Sequence, residues 1–338
     1  MSKKTRRELA RRAVKAATAD TGSRTLAKRL CQDYPLEFDS IEAARSLIRH
    51  MRGQNGEAHR RKAKDKEDFI PPAKPGDRMP VNIPEGKQQV KDPAVFAEPM
   101  KWLVIGDMHI PFHDQQAFEI AVNEGIEQGC KGIYINGDAA DNNAFSRWFK
   151  DPRHVSPKED IDTTREILAD LSPSFDRCVF KMGNHDEWYE KWLIDKADKL
   201  IEFPEFEFKN LLHLEENGYE VVEGTQIGML GNLPILHGHE LARGLMGPVN
   251  PARGAYLKVK DDVVVNHYHK TSSHVEKTGI TGDLVVTRSI GCLCSLTPDY
   301  QAVTAWNHGF AFCDVLDEEG DYDFRNFIIG KKGKIYQS

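Results

Sequence analysis

Five short polar motifs, each placed directly behind an apolar run, constrain this chain more than any other feature. In order they read GDMH (Gly106–His109), GDAAD (Gly137–Asp141), GNHD (Gly183–Asp186), HGHE (His237–Glu240) and NHYH (Asn266–His269). An apolar run of four to six residues has the length of a buried strand, and glycine just after it lets the backbone turn sharply into a loop. Polar side chains carried on such loops converge at one edge of a sheet. A lone Asp-x-His arises easily by chance. GNHD is rarer, on the order of one in a thousand for a chain of this size, so five motifs in series are read as one site.

The segments between the motifs alternate. Lys101–Gly106, Gly132–Asn136 and Arg177–Met182 read as strands, with helices over Gln115–Gln128, Glu159–Leu171 and Asp186–Lys199. Strands alternating with helices predict an α/β layered body. From about Gly224 the chain turns strand-rich, with Gln226–Leu230, Pro234–Leu236, Asp262–Asn266, Leu284–Ile290, Phe310–Val315 and Asp323–Ile329. A second mixed sheet packed on the first accommodates these.

Ahead of this body stand two other regions. Residues 1–53 predict three short helices: 3–18, Arg24 to about Asp33 with Ser23 as N-cap, and a third running to Arg52 from a capping box of Asp39 and Glu42. The third carries an apolar stripe (Ile41, Ala44, Leu47, Ile48, Met51) and a basic flank of Arg45, Arg49 and Arg52. Such a module is helix-turn-helix-like, and the three arginines are candidate nucleic-acid contacts. The plainer alternative is a small bundle for docking or oligomerisation. Residues 54–98 combine a charge run with Pro71, Pro72, Pro75, Pro80, Pro84 and Pro93, which predicts a linker. The catalytic domain is expected over 99–338.

Charge divides the same way. Residues 1–66 hold 18 Lys and Arg against 8 Asp and Glu, a net of +10, while the remainder holds 28 against 44, a net of −16. A basic arm on an acidic body suits DNA or RNA contact through residues 1–66, since the body alone would repel a polyanion. No apolar run approaches the ~18 residues of a membrane span. The start, Met1-Ser-Lys-Lys, leads into charged residues, so no secretory signal is expected and the location is taken as cytoplasmic, in a bacterial or phage-infected host cell. Six cysteines with no CxxC pair are read as reduced thiols. Oligomeric state has no signal in the sequence.

The motif series resembles that of the calcineurin-like metallophosphoesterases, whose signature is DxH, GDxxD, GNH[DE], a later His, and GHxH. The resemblance covers roughly Met100 to Lys334, and its phrasing (GDMHIPFHD, GDAADNNAFSRW, NHGFAF) is most similar to a phage and prophage branch that tends to carry an N-terminal helical module. It implies a four-layer αββα sandwich of two mixed sheets. It also implies two divalent metals, with Asp107, His109 and His269 on the first, Asn184, His237 and His267 on the second, and Asp138 between them. Imidazole and carboxylate donors point to Mn, with Fe, Zn, Co or Mg as alternatives. The implied chemistry is in-line attack on a phosphoester by a hydroxide that bridges the metals.

By the same resemblance His185 is the candidate general acid or phosphoryl donor, with Asp186 orienting it. Asp141, His239 and Glu240 are candidates to support the ligands, and Arg147, Arg243, Arg253 and His113 to contact substrate. Two departures stand out. Asn266 replaces the usual glycine of the last motif, in a turn that Asn tolerates. Asn142 follows GDxxD where serine/threonine protein phosphatases of the superfamily place an arginine, which argues against that activity. The expected function is a phosphodiesterase or nuclease steered to nucleic acid by the basic module. The alternatives are a phosphomonoesterase that uses the module for docking, and a nucleic-acid-binding protein with a vestigial metal site.

Overall fold

The computed structural model describes residues 3–17, 21–52, 86, 91–148, 156–242, 249–280 and 282–338. They fall into two compact units, Met1–Gln88 and Gln89–Ser338.

In the first unit, α1 (Lys3–Ala16), α2 (Ser23–Asp33) and α3 (Ile41–Met51) enclose a small core of Ala10, Leu26, Ala27, Leu30, Phe38, Ala44 and Ile48. Both expected caps move by one residue. Gly22 rather than Ser23 precedes α2. The α3 cap is Ser40, whose hydroxyl accepts the Ala43 N–H at 3.4 Å, not Asp39. The apolar stripe of α3 is buried at Ala44 and Ile48 but leaves Ile41 exposed. Most of the expected linker, including the Arg60–Lys66 run, lies outside the described residues.

The second unit begins inside that expected linker. Ala94–Phe96 forms β1, and its Phe96 joins the core, so the apolar AVF triplet behind Pro93 is part of the body. The elements that follow are β2 (Lys101–Ile105), α4 (Gln115–Glu127), β3 (Gly132–Asn136), α5 (Pro157–Leu171), β4 (Arg177–Lys181), α6 (Asn184–Lys196), β5 (Tyr219–Val222), β6 (Gly228–Leu230) and β7 (Leu233–Leu236). After them come α7 (Pro251–Val259), β8 (Val263–Val265), β9 (Ser272–Lys277), β10 (Leu284–Ser289), β11 (His308–Val315), β12 (Tyr322–Ile329) and β13 (Ile335–Gln337). Ser156 caps α5 two residues earlier than expected, accepting the Glu159 N–H at 3.1 Å. β1, β5, β9, β13 and α7 were not anticipated.

Two mixed sheets result, one ordered β13-β12-β11-β2-β3-β4-β5 and the other β1-β6-β7-β8-β10-β9. The pleat of β2 explains the layering. Trp102 and Val104 point to one face, where they pack with Tyr134, Val179, Leu230, Ile235 and Val264 between the sheets. Leu103 and Ile105 point to the other face, against Ala117 and Ala121 of α4 and Leu168 of α5. Strands buried on both faces are apolar throughout, as parallel strands covered by helices require. On the outer face of the second sheet, Ala255 of α7 packs with Leu236, Val263 and Val265. The result is the expected αββα sandwich. All five motif loops follow the C-terminal ends of β2, β3, β4, β7 and β8.

Candidate metal centre

Those strand ends bring the motif side chains into one buried cluster. Asp107, Asp138 and His237 are at most 1% exposed, His109 6% and His269 7%. His109 Nε2 and His269 Nε2 face each other at 3.1 Å, and His269 Nε2 lies 3.6 Å from Asp107 Oδ1. On the other side, His237 Nε2 lies 3.1 Å from Asp138 Oδ2 and 3.9 Å from Asp107 Oδ1. Donor atoms of Asp107, His109 and Asp138 fall within 4.8 Å of one another, as do those of Asp138, His237 and His267. Asp138 belongs to both groups.

The backbone is bent to achieve this. Asp107, His109, Asp138, His267 and His269 all have φ between 48° and 69°, the left-handed region that costs a non-glycine residue ~1 kcal/mol or more. Strain concentrated on five donors of one cluster marks a site where geometry takes precedence over local stability. Gly137 carries φ +86°, and a Cβ there would run into the His237 ring and the Gly183 backbone.

His237 and Asp138 are also fixed from behind. The His237 ring shares its Nδ1 hydrogen with the Asn136 carbonyl at 2.7 Å, which leaves Nε2 facing the cluster. Asp138 Oδ1 accepts the His185 N–H at 2.9 Å in the first turn of α6, where the helix dipole favours an anion. Glu240 accepts the His237 and Gly238 amides and pairs at 2.8 Å with Lys181, a fully buried lysine that also donates to the Gly224 and Gln226 carbonyls.

Electrostatics show what the cluster lacks. Burial pushes the Asp107 carboxyl up to about 6, against the pull of His237. Burial also opposes ionisation of Asp138, but His237 and His185 outweigh it and hold that carboxyl well below the usual range. Burial drives His267 down to about 3 and His269 well below the imidazole range. In His109 and His237 burial acts the same way, yet Asp141 raises the first to about 9 and Asp138 raises the second to about 10. Asn184 Oδ1 is buried without a hydrogen-bond partner. An orphaned acceptor and crowded imidazoles around two carboxylates fit divalent cations.

The supporting residues are arranged differently from expectation in several places. Asp186 does not orient His185. Its Oδ2 accepts the Asp138 and Gly183 amides, each at 2.8 Å, and its Oδ1 accepts the Ala140 amide at 3.3 Å. Asp141 takes the orienting position instead: its carbonyl receives His185 Nδ1–H at 2.6 Å, and its carboxylate lies 3.1 Å from His109 Nδ1. Burial lowers His185 to about 4. His239 stands 3.6 Å from Glu187 and 3.5 Å from Glu240.

The expected substrate contacts meet other partners or stand exposed. Arg147 lies over the Trp148 ring at 4.9 Å, Arg253 is exposed on α7, and His113 packs its ring against Phe118. Arg243 lies outside the described residues. Among the described residues no Lys or Arg pairs with Asp107, Asp138 or Asp141. The sequence reading passed over Asn136, Lys181, Cys294 and two tryptophans. Cys294 Sγ is 3.8 Å from His269 Nδ1, Trp188 stacks on His185 with centroids 3.8 Å apart, and Trp306 meets His269 at 4.2 Å. Lys181, a fully buried charge ending the strand RCVFK, was the one visible signal.

The family pattern described as calcineurin-like phosphoesterase matches residues 100–289. No curated protein sequence matches the chain. Among solved structures, it is similar to a phosphoesterase, YfcE, from E. coli (16% identity, TM-score 0.35, covering 71% of this chain and 98% of that one). A Vps29 from Entamoeba histolytica in complex with zinc matches at 13% identity and TM-score 0.35, over 71% and 97% of the two chains. A dimetal phosphatase from Danio rerio matches at 12% and 0.34, over 71% and 99%. The family match, rather than these likenesses, carries the assignment.

Proposed function

The chain belongs to the calcineurin-like phosphoesterase family and is a metal-dependent phosphoester hydrolase; from that premise we propose that its substrate is a phosphodiester, namely nucleic acid. The observation that carries this reading is that no accessory cation stands at the cage carboxylates among the described residues. Asn142 stands behind GDxxD with its amide spent on the His185 carbonyl at 3.2 Å, and among the described residues no Lys or Arg pairs with the cage carboxylates. A monoester brings nearly two negative charges to the site at neutral pH and a diester brings one. A centre without a helper cation suits the diester.

Asp107, His109 and His269 would hold one cation, Asn184, His237 and His267 the other, and Asp138 both, with Mn favoured over Fe, Zn, Co or Mg. When bound, such a pair lowers the pKa of water and neutralises charge on the phosphoryl oxygens. The protein's own groups then do the rest. Tied to the Asp141 carbonyl through Nδ1–H, a neutral His185 presents a lone pair at Nε2. It becomes a donor there only once protonated, and an arriving anionic phosphate favours that form. Trp188 and Trp306 are half-buried rings beside the two outer histidines and offer faces on which bases can stack.

The basic first unit would raise affinity for a polyanion. Arg45 pairs with Glu42 and Arg52 donates to Ser23 Oγ, so Arg49 is the exposed member of the trio. Parallel rates on bis-p-nitrophenyl phosphate, p-nitrophenyl phosphate, and single- and double-stranded DNA test the proposal. It expects diester and DNA cleavage, and brisk monoester turnover with neither would overturn it.

A further inference from the structure

Asn266 is the position at which this chain departs from its family's usual glycine, and its side chain is fully buried within the cage wall. Its Nδ2 donates to Asp107 Oδ2 at 3.2 Å and to the Gly291 carbonyl at 3.4 Å, while its Oδ1 accepts Asn136 Nδ2 at 2.8 Å. The His267 amide meets the same Asp107 oxygen at 3.0 Å and Oδ1 at 3.3 Å. Oδ2 thereby takes two donors from behind, whereas Oδ1, touched from behind by the His267 amide alone, is the oxygen that faces His269 and His237. Asn136 in turn donates to the Leu236 carbonyl at 2.8 Å, which anchors the amide pair to β7.

A second observation shows that the backbone makes room for this amide. A Cβ added at Gly106 would stand 3.0 Å from Asn266 Nδ2, 3.2 Å from its Cγ and 3.1 Å from the Asn136 carbonyl oxygen. The glycine before Asp107 and the asparagine before His267 therefore depend on each other, although 160 residues of sequence separate their motifs.

We propose that Asn266 is a positioning residue: its amide, admitted by Gly106 and held by Asn136, fixes Asp107 so that a single oxygen is presented to the cation held with His109 and His269. A glycine at this position would leave Asp107 with the His267 amide alone. Groups that orient metal-ligating side chains typically change metal affinity by 10–100-fold when removed. The loss here falls on the Asp107 site and spares the one formed by Asn184, His237 and His267. The inference rests on the metal centre described above.

The test is titration of metal-free full-length protein with Co(II), followed by calorimetry and by the visible spectrum of the bound ion. Wild type should show two binding events. Asn266→Ala should weaken one of them about tenfold with a changed d–d band, leave the other within about twofold, and recover in part with Asn266→Ser. Gly106→Ala removes no hydrogen-bonding group and keeps the test open if Asn266→Ala fails to fold. It should weaken the same event at least as strongly, since its Cβ also presses on the Asn136 carbonyl, and the double variant should be no worse than Gly106→Ala alone. Two wild-type affinities with an unchanged spectrum in both variants would overturn the proposal. So would equal weakening of both events accompanied by a drop in metal-free stability. A wild type that binds no Co(II) would instead overturn the metal centre itself.

Discussion

The carboxylate of Asp186 holds the backbone amide of Asp138 at 2.8 Å. Through it the GNHD loop fastens the GDAAD loop, because the same carboxylate also takes the Gly183 and Ala140 amides. Its burial and the nearby Asp138 charge raise it to about 7, against the pull of those amides. Asp186→Ala orphans three buried donors, each costing ~1–3 kcal/mol unless water reaches it. The metal-free protein should lose several degrees in Tm, with weaker metal uptake. An unchanged melting curve by differential scanning calorimetry would remove Asp186 from this role.

His185 has its Nδ1 committed to the Asp141 carbonyl. If it protonates a leaving oxygen, His185→Ala should depend on the leaving group. The loss should reach about a hundredfold or more on DNA or an alkyl diester, and be far smaller on bis-p-nitrophenyl phosphate, whose phenolate leaves unaided. Equal losses on all substrates would mean that His185 binds the phosphoryl group without transferring a proton.

Asp160 is a buried carboxyl on α5, and one of its oxygens has no hydrogen-bond partner. Burial, then Asp141, raises it to about 7. The folded protein thus holds this proton more tightly than the unfolded chain does, and the group's contribution to stability falls as pH rises from about 4 to about 7. Asp160→Asn should match wild type below that window and exceed it above, by on the order of 2 kcal/mol. Urea unfolding at several pH values checks the sign; a gap that does not vary with pH would contradict it.

The arginines of α3 should not be equivalent. Replacing exposed Arg49 alone should lower DNA affinity and reduce the slope of log affinity against log salt by about 1 if it meets a phosphate. Arg45→Ala and Arg52→Ala should act mainly on the helical unit, since these side chains pair with Glu42 and Ser23. Fluorescence anisotropy on a short duplex across a salt series separates the cases. Unchanged affinity in Arg49→Ala would assign α3 to another partner.

The convergence of the five motif loops could be read in the sequence because each motif follows an apolar strand. The pleat of β2, β3 and β4 then carries the next residue to one edge of the sheet. What stayed hidden was tertiary. Asp186 meets amides 46 and 48 residues away, and Asn136 meets Asn266 across 130 residues, pairings that no local spacing announces. The edge strands β9 and β13 mix exposed and half-buried positions and so lack the apolar run that marks a central strand, while β1 is an apolar triplet too short to register as one. In α7 the PARG start and a single buried face hid a helix of nine residues. Lys181 was visible as a charge in a buried strand, but its partner Glu240 lies in a different motif.

The central claim is that Asp138 serves two cations at once, and metal content measured together with turnover tests it most directly. Wild type dialysed against Mn(II) should retain about two ions per chain. Asp138→Asn should retain fewer and lose about a thousandfold in kcat/KM on bis-p-nitrophenyl phosphate. A wild type that holds no metal at saturating Mn(II), or an Asp138→Asn variant with full metal content and full activity, would contradict the account.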